Sequence, residues 1–181
     1  MKFGAAKGLS DVLLLVLGTG VGGSVVMNGK VHHGQHLFGG EFGFMLMDGE
    51  HSFSTLGTTI RMAERYNKRT GETLDAIEIF EKAFNGDEIA NEEKEIFLYN
   101  VAKGIFNLTY SFDPELVIIG GGVSQAEWLI PELQKQLQKI MEIIEVATFM
   151  PEIVTCEFRN SANLIGAAVD FSQTYANKTD K

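Results

Sequence analysis

A glycine-rich stretch between two apolar segments is the first part of the chain whose residue types suggest chemistry. It reads Leu-Gly-Thr-Gly-Val-Gly-Gly over residues 17–23. Glycines leave backbone N–H groups exposed, and such groups in a tight turn can form a concave anion site. The Thr19 hydroxyl adds a further donor. This composition favours a phosphate-binding turn made by Gly18, Thr19, Gly20 and Gly22, although a plain hairpin turn is also consistent with it.

Two better-known phosphate motifs do not fit this stretch. Gly18, Gly20 and Gly23 match the G-x-G-x-x-G spacing, but that motif needs a helix directly after the glycines. The following residues, Ser-Val-Val-Met-Asn-Gly, predict a strand and a hairpin instead. A P-loop is excluded as well, because no Ser or Thr follows Lys30.

A second run of glycines follows the apolar residues Leu-Val-Ile-Ile at positions 116–119. Ligands of α/β folds bind at the carboxyl ends of strands, and a glycine lets a ligand approach the backbone closely. A tight turn between a strand and a helix needs one glycine rather than three. The sequence therefore predicts nucleotide contact at Gly120, Gly121 and Gly122.

Other side chains give weaker signals. Glu41 lies in an apolar, glycine-rich loop, where a carboxylate can accept hydrogen bonds from sugar hydroxyls. A solvated loop acid is equally consistent with these residues. The 4 histidines lack acidic or cysteine partners at a recognisable zinc spacing, which predicts no metal site. The single cysteine, Cys156, is expected to be a small buried hydrophobic side chain in a strand.

Composition and charge argue against several classes of partner. The chain has 181 residues, the size of one ordinary domain, and a net charge of -9. A nucleic-acid binder needs a basic surface, and so does a protein that docks on anionic lipid. The longest apolar run, residues 12–17, is far shorter than the ~20 residues of a membrane span. We therefore expect a cytoplasmic protein that contacts neither nucleic acid nor membrane.

Hydrophobic patterns predict the elements that position these residues. An antiparallel start followed by alternating helices and strands implies a mixed sheet with helices on both faces. Gly104, inside the longest predicted helix, indicates a close backbone contact. Ser124 and Glu127 have the spacing of a capping box that starts a helix. The predicted strands span residues 11–17, 24–27, 30–33, 41–48, 116–119 and 153–158, and the predicted helices span 59–67, 74–84 (capped by Thr73), 87–111, 124–144 and 162–175.

In this order, the motifs resemble those of the ROK family of sugar kinases and sugar-responsive repressors. The resemblance covers essentially the whole chain, and it implies one lobe of the actin-like ATPase (ribonuclease H-like) fold. The matching stretches are residues 17–23, Asn28-Gly29-Lys30, His33-Gly34, Gly40-Glu41-Phe42-Gly43, Asp113-Pro114-Glu115, residues 119–124 and residues 163–167.

The resemblance also implies roles for the candidate residues. Residues 18–23 look like the second phosphate motif of the family, and residues 120–122 look like its adenosine motif. Glu41 looks like the glutamate that hydrogen-bonds the sugar. The implied reaction transfers the γ-phosphoryl group of ATP to a sugar hydroxyl, with Mg²⁺ neutralising charge.

The chain departs from the family pattern around a zinc site. Many members carry a histidine after the Gly-Glu-x-Gly motif, where it binds zinc and contacts the sugar. This chain has Phe44 at that position. The cysteine-rich zinc loop of those members corresponds here to residues 49–57, which contain no cysteine. The resemblance therefore implies a zinc-free branch of the family and leaves the preferred sugar open.

A larger departure concerns the start of the chain. Family kinases begin with an N-terminal lobe that carries a phosphate loop and the aspartate that serves as catalytic base. Residues 1–10 look like the segment just after that aspartate. We therefore expect residues 1–181 to form a single domain equivalent to the C-terminal lobe, with the N-terminal lobe absent, and we assign no catalytic residue.

The function expected from the resemblance is that of the nucleotide- and sugar-binding lobe of an ATP-dependent sugar kinase, inactive alone. One alternative is the sugar-sensing lobe of a transcriptional repressor. Another is a degenerate remnant that only oligomerises. The expected partners are a small-molecule sugar and further copies of the chain.

Overall fold

A five-stranded mixed sheet forms the centre of the structure, a computed structural model that describes residues 3–158 and 161–175. Its strand order is β3-β2-β1-β6-β7, and β4 pairs with β5 in a separate small hairpin. Strand β1 is antiparallel to β2 and parallel to β6. The strands are β1 (Val12–Leu17), β2 (Val21–Met27), β3 (Lys30–Val31), β4 (Leu46–Asp48), β5 (His51–Ser52), β6 (Leu116–Gly120) and β7 (Ile153–Thr155).

Helices cover both faces of the sheet. The residues of β1 alternate between the faces, so Leu13, Leu15 and Leu17 join the larger core, which also contains buried residues of α1 to α5. On the opposite face, Val12 packs in a smaller apolar cluster. The helices are α1 (Phe53–Leu56), α2 (Thr59–Thr70), α3 (Ala76–Phe84), α4 (Glu88–Phe112), α5 (Leu129–Ile143) and α6 (Ala162–Tyr175).

Helix α6 lies over the smaller apolar cluster. Its residues Ile165 and Val169 line an apolar cleft of about 500 Å³ together with Phe3 and the sheet residues Val12 and Ile118. The predicted architecture, a mixed sheet with an antiparallel start and helices on both faces, is confirmed.

Local sequence signals explain most helix boundaries. The side chains of Ser52, Thr58, Asp75 and Asp87 each accept a hydrogen bond from a backbone N–H three residues later, at the starts of α1 to α4. The predicted cap at Thr73 is wrong, because Asp75 and Glu78 form a capping box two residues further on.

Two other sequence-based expectations are also wrong. The Ser124–Glu127 capping box does not form: residues Gly122–Gln125 make a 3₁₀ turn, in which the Ser124 hydroxyl donates to the Gly121 carbonyl at 2.7 Å, and α5 begins only at Leu129. The strand predicted over residues 41–48 is limited to β4, because Phe42–Phe44 form another 3₁₀ turn.

The close contact expected at Gly104 is confirmed. A Cβ atom on this residue would lie 2.3 Å from Cζ of Phe53, a side chain that is fully buried in α1. The absence of a side chain at Gly104 therefore lets α4 approach α1. Through this contact the long helix supports the segment that leads from β5 into α2.

Glu115 joins the amino ends of β1 and β6. Its carboxylate accepts hydrogen bonds from the backbone N–H groups of Ser10 at 2.6 Å and Asp11 at 2.9 Å, and its own N–H donates to the Asp11 carbonyl at 2.8 Å. The first two bonds hold the pKa of Glu115 below its ordinary value of 4.5, with the bond from Asp11 the larger cause. The Asp113-Pro114-Glu115 motif is therefore structural, at the edge opposite the glycine turns.

The lowered pKa of Glu115 predicts a pH-dependent contribution to stability. A carboxylate with a depressed folded-state pKa stabilises the protein above the unfolded-state pKa, and this contribution disappears as the pH falls through the folded-state value. Glu115→Gln is expected to lower Tm at pH 7 and to lower it less at pH 2. Thermal unfolding of both proteins at the two pH values, with the exposed Glu127→Gln as control, measures this. An equal loss of Tm at both pH values would contradict it.

Candidate functional site

The two predicted glycine turns lie at the same edge of the sheet. Strands β1 and β6 are parallel neighbours, with Val16 opposite Gly120, so their carboxyl ends coincide. The first turn follows β1, and the Gly18 N–H donates to the Gly20 carbonyl at 3.0 Å across it. The second turn follows β6. The structure thus brings together the two segments that the sequence singled out for phosphate and for adenosine.

Gly121 is what allows the two turns to touch. Its φ of +95° is a conformation that L side chains rarely adopt, and a Cβ atom there would lie 2.0 Å from the Leu17 carbonyl oxygen. The backbone after β6 is therefore packed directly against the end of β1. Gly120 is different, because its nearest neighbour, Cγ2 of Val16, would be at an ordinary contact distance of 3.7 Å.

Gly22 and Gly122 have free space where a side chain would be. A Cβ atom on either residue would meet no atom within 4 Å. Neither residue has the positive φ that would require glycine. Packing within the described part of the chain therefore does not explain these two glycines, and a ligand could approach the backbone at both.

The first turn is shorter than predicted. Strand β2 begins at Val21, so Gly22 and Gly23 are strand residues opposite Val16 and Leu15 rather than part of the turn. Only residues 18–20 connect the strands. Within them the Thr19 side chain is exposed and available as a donor.

A glycine-rich loop, residues 39–43, packs on the start of β2. Gly40 has a φ of +99°, and its Cβ would lie 2.6 Å from the Gly23 carbonyl oxygen. A Cβ on Gly23 would in turn lie 2.6 Å from the ring of Phe42. A Cβ on Gly43 would lie 2.3 Å from the Val21 carbonyl oxygen. These three glycines therefore serve close packing.

Ser54 is a residue of this region that the sequence interpretation missed. Its hydroxyl accepts a hydrogen bond from the Val21 N–H at 3.0 Å. It would also lie 2.3 Å from a Cβ on Gly43. Ser54 therefore ties α1 to the start of β2 beside the loop. Ser54 lies two residues after β5, a strand that the sequence did not predict, and a lone serine there carries no sequence signal for such a role.

Two backbone hydrogen bonds fix the main chain of Glu41, and its side chain is exposed to solvent. Its N–H donates to the Phe38 carbonyl at 3.2 Å, and its own carbonyl accepts from the Phe44 N–H at 3.3 Å. Its side chain makes no capping hydrogen bond in the 3₁₀ turn that follows. Glu41 lies between Gly40 and Gly43, which both pack on β2, so its backbone lies beside the strand that follows the first glycine turn. The carboxylate is thus exposed and can accept hydrogen bonds from a ligand.

The histidines and Cys156 form no arrangement in the described residues that suggests metal binding or catalysis. In residues 3–158 and 161–175, His, Cys, Asp and Glu side chains form no group of three that could hold a metal ion. Cys156 is half-buried beside the smaller apolar cluster and follows the end of β7, where its N–H donates to the Ile119 carbonyl at 2.8 Å. The described helices include none with the length and apolar character needed to cross a membrane.

Comparison with known proteins supports the resemblance seen in the motifs. Residues 1–173 match the ROK family. The chain belongs to the ROK family. It is 31% identical, over 94% of its length, to the beta-glucoside kinase of Listeria monocytogenes. It is 33% identical, over 88% of its length, to the N-acetyl-D-glucosamine kinase of Haemophilus influenzae.

A solved ROK structure shows the same fold. The crystal structure of a ROK family protein from Streptococcus pneumoniae, in complex with sucrose, is 32% identical to this chain and superimposes with a TM-score of 0.88 over 94% of it. The alignment covers 61% of that protein. The chain likewise spans 59% and 58% of the length of the two kinases. The actin-like ATPase fold expected from the motifs is confirmed.

Proposed function

We propose that residues 1–181 form the nucleotide- and sugar-binding lobe of an ATP-dependent ROK sugar kinase. The observation that carries this proposal is the meeting of the two glycine turns at one sheet edge, where Gly121 packs against the Leu17 carbonyl. In open α/β sheets this edge, at the carboxyl ends of the strands, is where ligands bind. The relatives with kinase names support the same reaction class.

The two turns would bind different parts of the nucleotide. Residues 18–20 offer backbone N–H groups and the Thr19 hydroxyl to a phosphate, and the open space beside Gly22 admits it. Residues 120–122 would take the adenosine, with Gly122 leaving room for a flat ring. Mg²⁺, when bound with ATP, would neutralise charge on the phosphates.

Glu41 would bind the sugar. It is an exposed carboxylate on a loop that glycine packing fixes against β2, so it can accept hydrogen bonds from two hydroxyls without moving the fold. The names of the two kinases and the sucrose complex support a small-molecule sugar as ligand. The absence of zinc, the lack of nucleic-acid contact, the cytoplasmic location and self-association stay predictions.

Binding of D-glucose and of N-acetyl-D-glucosamine to the full chain tests the sugar site. Hydrogen bonds to a charged group contribute about 1.5–3 kcal/mol each, so Glu41→Ala is expected to weaken the tighter sugar about tenfold or more. Saturation-transfer NMR or calorimetry measures this. Glu50→Ala, which removes an exposed acid nearby in the chain, is the matched control. If neither sugar binds, or if Glu41→Ala binds like the control, the proposal fails.

A further inference from the structure

Ser54 lies between the two segments proposed to bind the phosphate and the sugar. Its hydroxyl oxygen accepts a hydrogen bond at 3.0 Å from the N–H of Val21, the first residue after the phosphate turn (residues 18–20). The same oxygen would lie 3.4 Å from a Cβ atom on Gly20 of that turn, and 2.3 Å from a Cβ atom on Gly43 of the loop proposed to bind the sugar. One half-buried side chain therefore packs against both segments.

The phosphate turn and the loop meet at Val21, on one edge of β2. The N–H and C=O groups of a strand residue point to the same edge. Within the described residues, β3 pairs with β2 only at Val26 and Met27, so α1 and the loop, rather than a strand, cover this edge at Val21. The Val21 N–H donates to Ser54, and a Cβ atom on Gly43 would lie 2.3 Å from the Val21 carbonyl oxygen. A shift of Val21 would therefore disturb the contacts of the turn and of the loop together.

Helix α1 holds Ser54 in position. Phe53, the residue before it, is fully buried against Gly104, and its N–H donates to the Met45 carbonyl at 2.7 Å. The Ser54 carbonyl accepts a hydrogen bond from the hydroxyl of the buried Thr58 at 3.0 Å. The Ser54 hydroxyl is therefore an acceptor fixed by the core of the protein, and the edge of β2 is held to it by one hydrogen bond.

We propose that Ser54 couples sugar binding to nucleotide binding in this chain. It is a positioning residue and contacts neither ligand. A sugar bound at Glu41 stabilises the loop, and through Gly43 and Ser54 the end of the phosphate turn is stabilised as well. This inference rests on the proposed function, because it needs a nucleotide at the turn and a sugar at Glu41.

The glycines of the phosphate turn give this coupling a physical basis. Two of the three residues of the turn are glycines, and glycine loses more conformational freedom on ordering than any other residue. A phosphate that binds the backbone of the turn must order it. When a bound sugar has already stabilised the end of the turn, the nucleotide has less to order, so its affinity rises. By linkage, the nucleotide strengthens sugar binding by the same factor.

Titration of the full chain with Mg-ADP, without and with saturating sugar, tests the coupling. The sugar is the tighter of D-glucose and N-acetyl-D-glucosamine. The affinity for Mg-ADP is expected to rise about fivefold with sugar, equivalent to about 1 kcal/mol, which one hydrogen bond can account for. Ser54→Ala, which removes the acceptor of the Val21 N–H, is expected to bring this ratio close to one. Sugar is also expected to slow hydrogen exchange of the Val21 amide in the wild-type chain and not in the variant.

Ser52→Ala is the matched control. The Ser52 hydroxyl belongs to the same short segment, but it accepts the Thr55 N–H at 3.3 Å and caps α1. Its removal is expected to lower Tm and to keep the fivefold ratio. Loss of the ratio in both variants would show that the stability of α1, and not the Ser54 hydroxyl, is responsible, and would contradict the inference.

The remaining outcomes separate this inference from the proposed function. If the wild-type chain binds both ligands independently, or if Ser54→Ala keeps the fivefold ratio, the inference is wrong and the proposed function stands. If the wild-type chain binds neither Mg-ADP nor sugar, the proposed function fails and the inference fails with it. The wild-type ratio and the exchange of the Val21 amide require no variant, so an unfolded Ser54→Ala leaves both of these tests in place.

Discussion

Alanine at Gly121 is expected to destabilise the fold and to weaken nucleotide binding, whereas alanine at Gly122 is expected to weaken only the binding. The first change places a Cβ 2.0 Å from the Leu17 carbonyl oxygen at a φ of +95°. At φ +95° and ψ 174° the backbone lies in a region that essentially only glycine adopts, so a side chain there costs about 1–3 kcal/mol, and the overpacking costs about 1–3 kcal/mol more. This loss of stability arises at the contact that brings the two turns together, so nucleotide binding is weakened as well.

Gly122→Ala has no such cost, because no atom lies within 4 Å of the new Cβ. The methyl group instead occupies the space through which the nucleotide would approach the backbone. We expect Tm to be retained and the affinity for Mg-ADP to fall tenfold or more. Gly22→Ala tests the phosphate turn in the same way, since its surroundings are equally open.

Calorimetric titration with Mg-ADP and thermal unfolding of the same samples measure both effects. Gly166→Ala is the matched control, because this glycine in α6 also has open surroundings and is expected to leave ADP binding unchanged. Wild-type affinity in Gly122→Ala and Gly22→Ala would show that the nucleotide does not bind at these turns. Sugar binding without any ADP binding by the wild-type chain would favour the repressor alternative.

Elements with a strong apolar pattern could be predicted from the sequence. The run at 12–17 forms the central strand β1, and the run at 116–119 forms its parallel neighbour. The Asn28-Gly29 pair makes the expected two-residue turn, with φ of 51° and 73°. These features depend on residues adjacent in sequence, so the pattern is sufficient to find them.

The limits of β2 could not be predicted, because its first residues have little side-chain signal. Gly22 and Gly23 would each end a strand by propensity alone. Pairing with β1 extends the ladder through both. The 3₁₀ turn at Phe42–Phe44 was missed for a related reason. It exists because the loop is packed on β2, and tertiary packing of this kind overrides the local alternation of apolar residues.

The candidate site illustrates why clustered glycines are ambiguous. The sequence attributed Gly18 to Gly22 and Gly120 to Gly122 to ligand binding as two sets. In the structure Gly121 serves the contact between the turns, and Gly23 beside the first set serves loop packing. Within these two sets, only Gly22 and Gly122 have open surroundings without a backbone requirement. The space around each glycine in the fold distinguishes a glycine needed for close packing from one that leaves room for a ligand. The spacing of glycines in the sequence does not make this distinction.

The 181-residue chain is expected to show no sugar-dependent ADP release. Phosphoryl transfer depends almost entirely on positioning and on charge stabilisation. The proposal gives this chain one phosphate turn, one adenosine turn and one sugar carboxylate, all within one lobe. The resemblance places the catalytic aspartate and the family's other phosphate loop in a different lobe of the family kinases. General-base catalysis alone contributes about 10²–10⁴-fold to such rates.

Among these candidate groups, Glu41 carries the side chain that could act as a base. A general base must lie within hydrogen-bond reach of the attacking hydroxyl, and the family glutamate contacts the sugar away from that hydroxyl. We therefore expect binding without turnover. A coupled ADP-release assay with Mg-ATP and a panel of hexoses, amino sugars and β-glucosides measures this, with Glu50→Ala and Glu41→Ala in parallel. Turnover that persists in Glu50→Ala and disappears in Glu41→Ala would show that this lobe carries its own catalytic machinery.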